Sequence, residues 1–270
     1  MTLPPAFAIP AVLVVVLAVV GAWVDASRSS SADATPATAQ APIVATVSTP
    51  APTGSSGAVP SAAPTTAAVV DPGDGRTSCT SVVHVGDSTS VGLVSADHLP
   101  DPATRIDARY AAVGVTDFHA EISGARSTVE RLQGQENAVE VAERLRAEGF
   151  EGCWVLALGT TDAANIAAGA SMPADRRIDR MMAAIGNDPV LWVDVKTLRT
   201  DGPWADPSMR AWNEALAAAA ARYPNIKVYD WAGVVQDAWF GADRIHYTTE
   251  GYAERAALIA DALATTYPAA

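Results

Sequence analysis

The stretch Val82-Val83-His84-Val85-Gly86-Asp87-Ser88-Thr89-Ser90 decides how the rest of the chain is read. β-branched residues run up to a glycine, and polar residues follow at once. A buried parallel strand ends this way when it delivers a side chain to the rim of a sheet. Gly86 permits a sharp turn, and Ser88 stands where the next helix would begin. The first amides of a helix lack intrahelical partners, and the helix dipole favours negative charge, so an anion is stabilised there. An ordinary strand–turn–helix with a capping serine would read the same way. The choice between the two rests on the remainder of the chain.

Outward from this stretch, from Arg76 on, apolar strands alternate with helices. The pattern predicts strands at 81–85, 118–122, 153–158, 189–195 and 226–230. It predicts helices at 89–96, 127–148 (with a break at Gly134), 174–185, 207–222 and 249–266. Asp206 and Pro207 read as an N-cap acid and a first-turn proline. Met209, Trp212 and Leu216 share one helix face, as do Tyr252, Ala256, Ile259 and Leu263, and both sets read as core. The expected fold is α/β: a three-layer α/β/α sandwich around a parallel, flavodoxin-like five-stranded sheet. Function in such folds sits beyond the carboxyl ends of the strands.

Four stretches stand out for their glycine, hydroxyl and acid side chains, the first three just where apolar strands stop: Gly86-Asp87-Ser88, Ser123-Gly124-Ala125-Arg126, Gly159-Thr160-Thr161-Asp162 and Asp243-Arg244-Ile245-His246. Acyl transfer by a serine needs a nucleophile, a base, a group that orients the base, and donors for the oxyanion. The chain supplies each: Ser88 as nucleophile, His246 as base, Asp243 three residues before it, and the backbone amides of Ser88 and Gly124 as donors.

These stretches, in this order and spacing, resemble the blocks of the SGNH (GDSL-type) serine hydrolase superfamily. The resemblance covers residues 79–268. It implies the SGNH hydrolase fold, an ester-cleaving activity, Ser88 as nucleophile in Gly-Asp-Ser, Gly124 as oxyanion glycine, and Asp243 and His246 as the Asp-x-x-His block. One position departs. The third block usually reads Gly-x-Asn-Asp, its Asn amide completing the oxyanion hole, and here Thr161 occupies that place. A threonine hydroxyl donates one hydrogen bond with shorter reach; Asn165 is the alternative donor.

Arg126 reads either as a ligand for an anionic substrate group or as a salt-bridged residue at a helix start. Trp204 and Trp239 fall in expected loops and read either as the lining of a sugar or acyl site or as loop packing. His84 is mid-strand and reads as core, while His98 and His119 lack a combined acid-plus-nucleophile context. No His, Cys and carboxylate set has metal-ligand spacing, so no metal and no cofactor are expected. Cys79 enters the first strand and Cys153 begins the third, both at the end away from the serine. Those strands are commonly neighbours in doubly wound sheets, so the two cysteines are expected to form a disulfide.

Ala6 to Val24 is uncharged and long enough to cross a bilayer, so 1–25 reads as an uncleaved membrane anchor, with a cleaved signal segment as the alternative. Residues 26–75, rich in Ala, Pro, Ser and Thr, read as a disordered stalk, and 76–270 as the hydrolase domain. The full chain carries a net charge of −12. Residues 76–270 hold 17 basic and 26 acidic residues without a basic patch, which argues against nucleic acid as partner. The expectation is an exported serine esterase, a monomer tethered outside the membrane, acting on O-acyl groups of envelope glycan, lipid or small-molecule esters. Its Ala-rich chain and stalk look like those of high-GC actinobacteria. An O-acyltransferase would share the first half of the mechanism, and a weak carbohydrate-binding module is the rival from another class.

Overall fold

The computed structural model describes residues 75–132 and 134–270. The expected anchor and, apart from Gly75, the expected stalk lie outside the described residues. Five strands, β1 (Ser81–Gly86), β2 (Asp117–Ile122), β3 (Cys153–Ala157), β4 (Val190–Val193) and β5 (Ile226–Tyr229), form one parallel sheet in the order β2-β1-β3-β4-β5. This is the flavodoxin-like order, in which the chain winds outward both ways from β1. The helices are α1 (Ser88–Val94), α2 (Ile106–Ala112), α3 (Ala138–Ala147), α4 (Thr160–Ala167), α5 (Ala174–Ile185), α6 (Asp206–Ala220), α7 (Trp231–Val234) and α8 (Thr249–Thr266).

Side-chain alternation along the strands sorts the core into two layers. Val82, Val155 and Leu191 face Leu93, Tyr110, Ile259 and Leu263 from α1, α2 and α8 and their connections. Val83, Trp154 and Trp192 face Val141, Ile178 and Met209 from α3, α5 and α6. Among the described residues no helix is long and apolar enough to cross a membrane.

Register sets the position of the site. Gly86 lies opposite Ile122 on one side and Ala157 on the other, so β2, β1 and β3 end flush. Two residues further along each chain stand Ser88, Gly124 and Gly159.

Three expectations are corrected. The helix expected over 127–148 starts only at Ala138. Ser127 and Thr128 are drawn to the Asp162 carboxylate instead (Thr128 N to Oδ1, 3.0 Å), Gly134 has φ +81°, and Asn137 and Glu140 form a capping box that fixes the true start. Asp206 is the first residue of α6 and pairs with Arg210, while Ala205 occupies the N-cap. The short helices α2, α4 and α7 were not anticipated; Thr160–Ala167 directly follows the Gly159 turn and opens with β-branched threonines that give little helical signal.

At the amino edge of the sheet Cys79 and Cys153 form a disulfide with Cα atoms 5.7 Å apart, as expected. Beside it the two ends of the domain are clasped together. Ser78 N donates to Tyr267 O (2.8 Å), Ala269 N to Arg76 O (2.9 Å), and Thr77 forms an antiparallel bridge with Pro268.

His84 is buried mid-strand, between Tyr110 Oη (2.9 Å from Nδ1) and Ser90 Oγ (3.2 Å from Nε2). Burial, reinforced by the nearby Arg255 charge, lowers its pKa from 6.5 to about 3. The unfolded chain therefore binds this proton first, so the stability His84 confers is full above about pH 6.5 and is lost as pH falls toward 3. Urea unfolding from pH 7 to 4 should show the wild type losing stability relative to His84→Gln by up to about 1.4 kcal/mol per pH unit. Parallel stability curves for the two proteins would contradict this account.

Candidate active site

Asp87 and Ser88 form the turn from β1 into α1. Asp87 is buried and caps the helix, its Oδ1 accepting from Thr89 N (2.9 Å) and Thr89 Oγ1 (2.7 Å). Burial pushes its carboxyl up, against the Thr89 hydrogen bonds that favour the charged form. Its carbonyl takes the Ser90 amide (3.0 Å). With the Thr89 and Ser90 amides engaged, the Ser88 amide is the donor of this turn with no partner among the described residues. A side chain on Gly86 would run into Ser90, so only glycine lets β1 turn so closely onto α1.

Opposite, Asp243 and His246 share a tight turn. Asp243 Oδ1 accepts the amides of Ile245 and His246 (both 3.0 Å), and Arg244 between them has φ +64°. A non-glycine residue in that region carries strain that the surrounding hydrogen bonds hold in place. Asp243 Oδ2 lies 2.6 Å from His246 Nδ1, and His246 Nε2 lies 2.8 Å from Ser88 Oγ. Burial would raise the Asp243 carboxyl, but hydrogen bonds from the imidazole and the two amides outweigh it and hold the pKa below the ordinary carboxylate value. The turn is pinned to its surroundings by Gly241 N to His246 O (2.7 Å) and Leu198 N to Arg244 O (2.8 Å). A carboxylate on Nδ1 fixes the tautomer that leaves a lone pair on Nε2, facing the serine hydroxyl.

Gly124 follows β2 in a turn closed by Arg126 N to Ser123 O (3.3 Å), and Ala125 beside it has φ +53°. The space in front of the Gly124 Cα is open, and its amide too has no partner among the described residues. Gly159, at φ +134°, packs its Cα against the Trp212 indole, where a side chain would collide. A hydroxyl aligned on a base, a base aligned on a carboxylate, and free amides at the flush strand ends are the parts of serine-type acyl transfer.

The sequence comparison now decides the family. Residues 84–254 match the GDSL-like lipase/acylhydrolase family. The chain belongs to that family. No curated protein is significantly similar in sequence. Solved structures share the fold of this GDSL-like acylhydrolase. A lipase/acylhydrolase from Enterococcus faecalis superposes with a TM-score of 0.52 at 17% identity, covering 69% of this chain and 96% of its own. A carbohydrate acetylesterase family member from Sinorhizobium meliloti gives 0.55 at 15%, covering 69% and 98%. A member of the lipolytic G-D-S-L family from Veillonella parvula gives 0.50 at 18%, covering 69% and 98%. The protein is an ester-hydrolysing enzyme.

The remaining expected site residues divide. Thr161, in the first turn of α4, is buried, and its Oγ1 has no hydrogen-bond partner among the described residues. Asn165, one turn later, donates from Nδ2 to Glu130 Oε2 (3.3 Å). Both line a groove of about 420 Å³, together with Trp204, Glu130 and Leu132. Arg126 is buried instead of reaching substrate: its Nη1 donates to the Glu136 carbonyl (2.9 Å) and holds the loop before α3. Trp239 is also withdrawn, stacked on Trp231 with centroids 6.0 Å apart in the core beneath α8.

An ionic group behind the groove escaped the sequence reading. Arg177 is fully buried, 2.9 Å from the buried Asp162, and its fork holds both oxygens of the half-exposed Glu130. Burial raises the Glu130 carboxyl, but the Arg177 and Ser127 hydrogen bonds prevail and keep its pKa low. An arginine on an amphipathic helix gives no sequence signal of burial; only the Asp162 of the third block pointed toward this spot.

Proposed function

We propose that this GDSL-family enzyme is an extracytoplasmic serine esterase that removes short O-acyl groups, of the acetyl type, from envelope carbohydrate or lipid. The observation that carries the reading is the continuous relay from Asp243 through His246 to Ser88. Ser88 Oγ attacks the ester carbonyl as His246 Nε2 takes its proton, and the amides hold the oxyanion. Collapse expels the alcohol, which leaves with the proton from His246. Water, deprotonated by His246, then attacks the acyl-enzyme and frees the acid. The Cys79–Cys153 disulfide supports an oxidising compartment, and hence the anchor-and-stalk reading of the N-terminal segments. The carbohydrate acetylesterase among the similar folds supports an acetyl ester of a sugar as substrate.

The test is release of acetate from a chromogenic acetyl ester by the purified protein, with and without an oligosaccharide acceptor. Hydrolysis in both conditions supports the esterase. Turnover that needs the acceptor, with acetate moved onto it, would make the enzyme a transferase.

Thr161 is proposed as the third oxyanion donor, since its buried hydroxyl has no other use. One well-placed donor is worth roughly 2.7–4 kcal/mol in the transition state, and the shorter threonine recovers part of that. Thr161→Asn should raise kcat modestly with KM nearly unchanged. Thr161→Val should lower kcat while raising the melting temperature slightly, because an unpaired buried hydroxyl is removed. Unchanged kcat in both variants would remove Thr161 from the oxyanion hole.

A further inference from the structure

We infer that the groove beside Ser88 holds the sugar ring bearing the ester, with Trp204 as its stacking face and Glu130 as its hydrogen-bond acceptor. The inference rests on the esterase reading and goes beyond it, by assigning the leaving-group side of the site. The groove walls come from the segments after β2, β3 and β4, and Ala125, next to Gly124, and Thr161, two residues after Gly159, belong to them. The inference places one substituent of an ester held at Ser88 along this groove.

The lining has two characters. Trp204 and the exposed Leu132 offer apolar surface, and the Trp204 backbone is fixed by Thr197 Oγ1 donating to its carbonyl (2.7 Å). Facing them are polar groups built from behind. Glu130 is clamped by Arg177, Ser127 and Asn165, so its carboxylate has a set orientation. A ring with one apolar face and a rim of hydroxyls satisfies both characters at once. A long acyl chain would leave the Glu130 carboxylate unmet, which is costly. Arg131, also in the lining, turns its guanidinium to Glu140 (2.7 Å), and Arg177 behind it is shared between Glu130 and Asp162, so among the described residues of the lining no cation is free for a substrate carboxylate. The groove thus favours neutral or amino sugars over uronic acids.

The test compares kcat/KM on an O-acetylated N-acetylglucosamine oligosaccharide with kcat/KM on 4-nitrophenyl acetate. Trp204→Ala should lower that ratio about tenfold, the equivalent of roughly 1.4 kcal/mol, mainly through KM on the oligosaccharide. Trp204→Phe should restore most of it. Glu130→Gln should narrow the preference for the oligosaccharide over acetylated polygalacturonate. A ratio unchanged in Trp204→Ala, or a fall equal on both esters, would overturn the assignment. Binding of the oligosaccharide to Ser88→Ala, measured calorimetrically, tests the groove apart from the chemistry. Loss of that binding on adding Trp204→Ala supports the groove even if neither ester is hydrolysed, and binding unaffected by Trp204→Ala overturns it.

Discussion

Ser88→Ala should remove ester hydrolysis almost completely while leaving the melting temperature where it is. The serine side chain is only partly buried and its hydroxyl bonds to a half-exposed imidazole, so its loss costs the fold little. Chemically its oxygen is the atom aligned on His246 Nε2 among the described residues. Removing the nucleophile or the base of such a unit costs roughly 10⁵-fold or more in kcat, and the two losses do not add. His246→Ala should therefore match Ser88→Ala, and the double variant should be no worse than either. Asp243→Asn should cost less, about 10²- to 10⁴-fold: the two backbone amides still hold the turn, but the imidazole loses its tautomeric control. A fluorophosphonate should add once to the wild type and not at all to Ser88→Ala, as read by intact mass. Hydrolysis by Ser88→Ala at the wild-type rate would overturn the mechanism.

Reducing the Cys79–Cys153 bond, or replacing both residues by serine, should bring the second large loss, this time in stability. The bond closes a loop over a sequence separation of 74 residues. Constraining a loop of that length in the unfolded chain is worth about 4.5 kcal/mol on the chain-entropy account. For a domain of this size such a loss lowers the melting temperature by roughly 10 °C or more. Activity at low temperature should survive, because the bond lies at the amino edge and the catalytic groups at the carboxyl edge. Equal melting temperatures with and without reductant would contradict the expectation.

The sequence was most informative where function depends on neighbours along the chain. Asp243 and His246 sit within one turn, and Gly86-Asp87-Ser88 ends one strand, so local spacing was enough to place them. The pairing of Cys79 with Cys153 was legible because the order of strands in such sheets brings β1 and β3 together. The misreadings share a different cause. Trp204 and Trp239 look alike in sequence, yet Trp231 stacks on Trp239 in the core while Trp204 stays at the rim. The stretch before α3 has helical composition, but Asp162 and Arg177 hold Ser127 through contacts distant in sequence, and Asn137 turns back to the Val129 carbonyl. Arg126 was weighed as a ligand because a charge beside the oxyanion glycine has an evident use. Its burial follows from the packing of that loop, which no local pattern reports.

The clasp between the two ends of the domain has a consequence for attachment. Arg76 to Ser78 meet Tyr267 to Ala269 at the pole where β1 begins, and Ser88 emerges at the pole where it ends. Six strand residues at about 3.3 Å each set roughly 17–20 Å between them. A surface, bead or fusion partner joined at residue 75 grips the enzyme by its blind pole, and the mouth that admits substrate faces the other way.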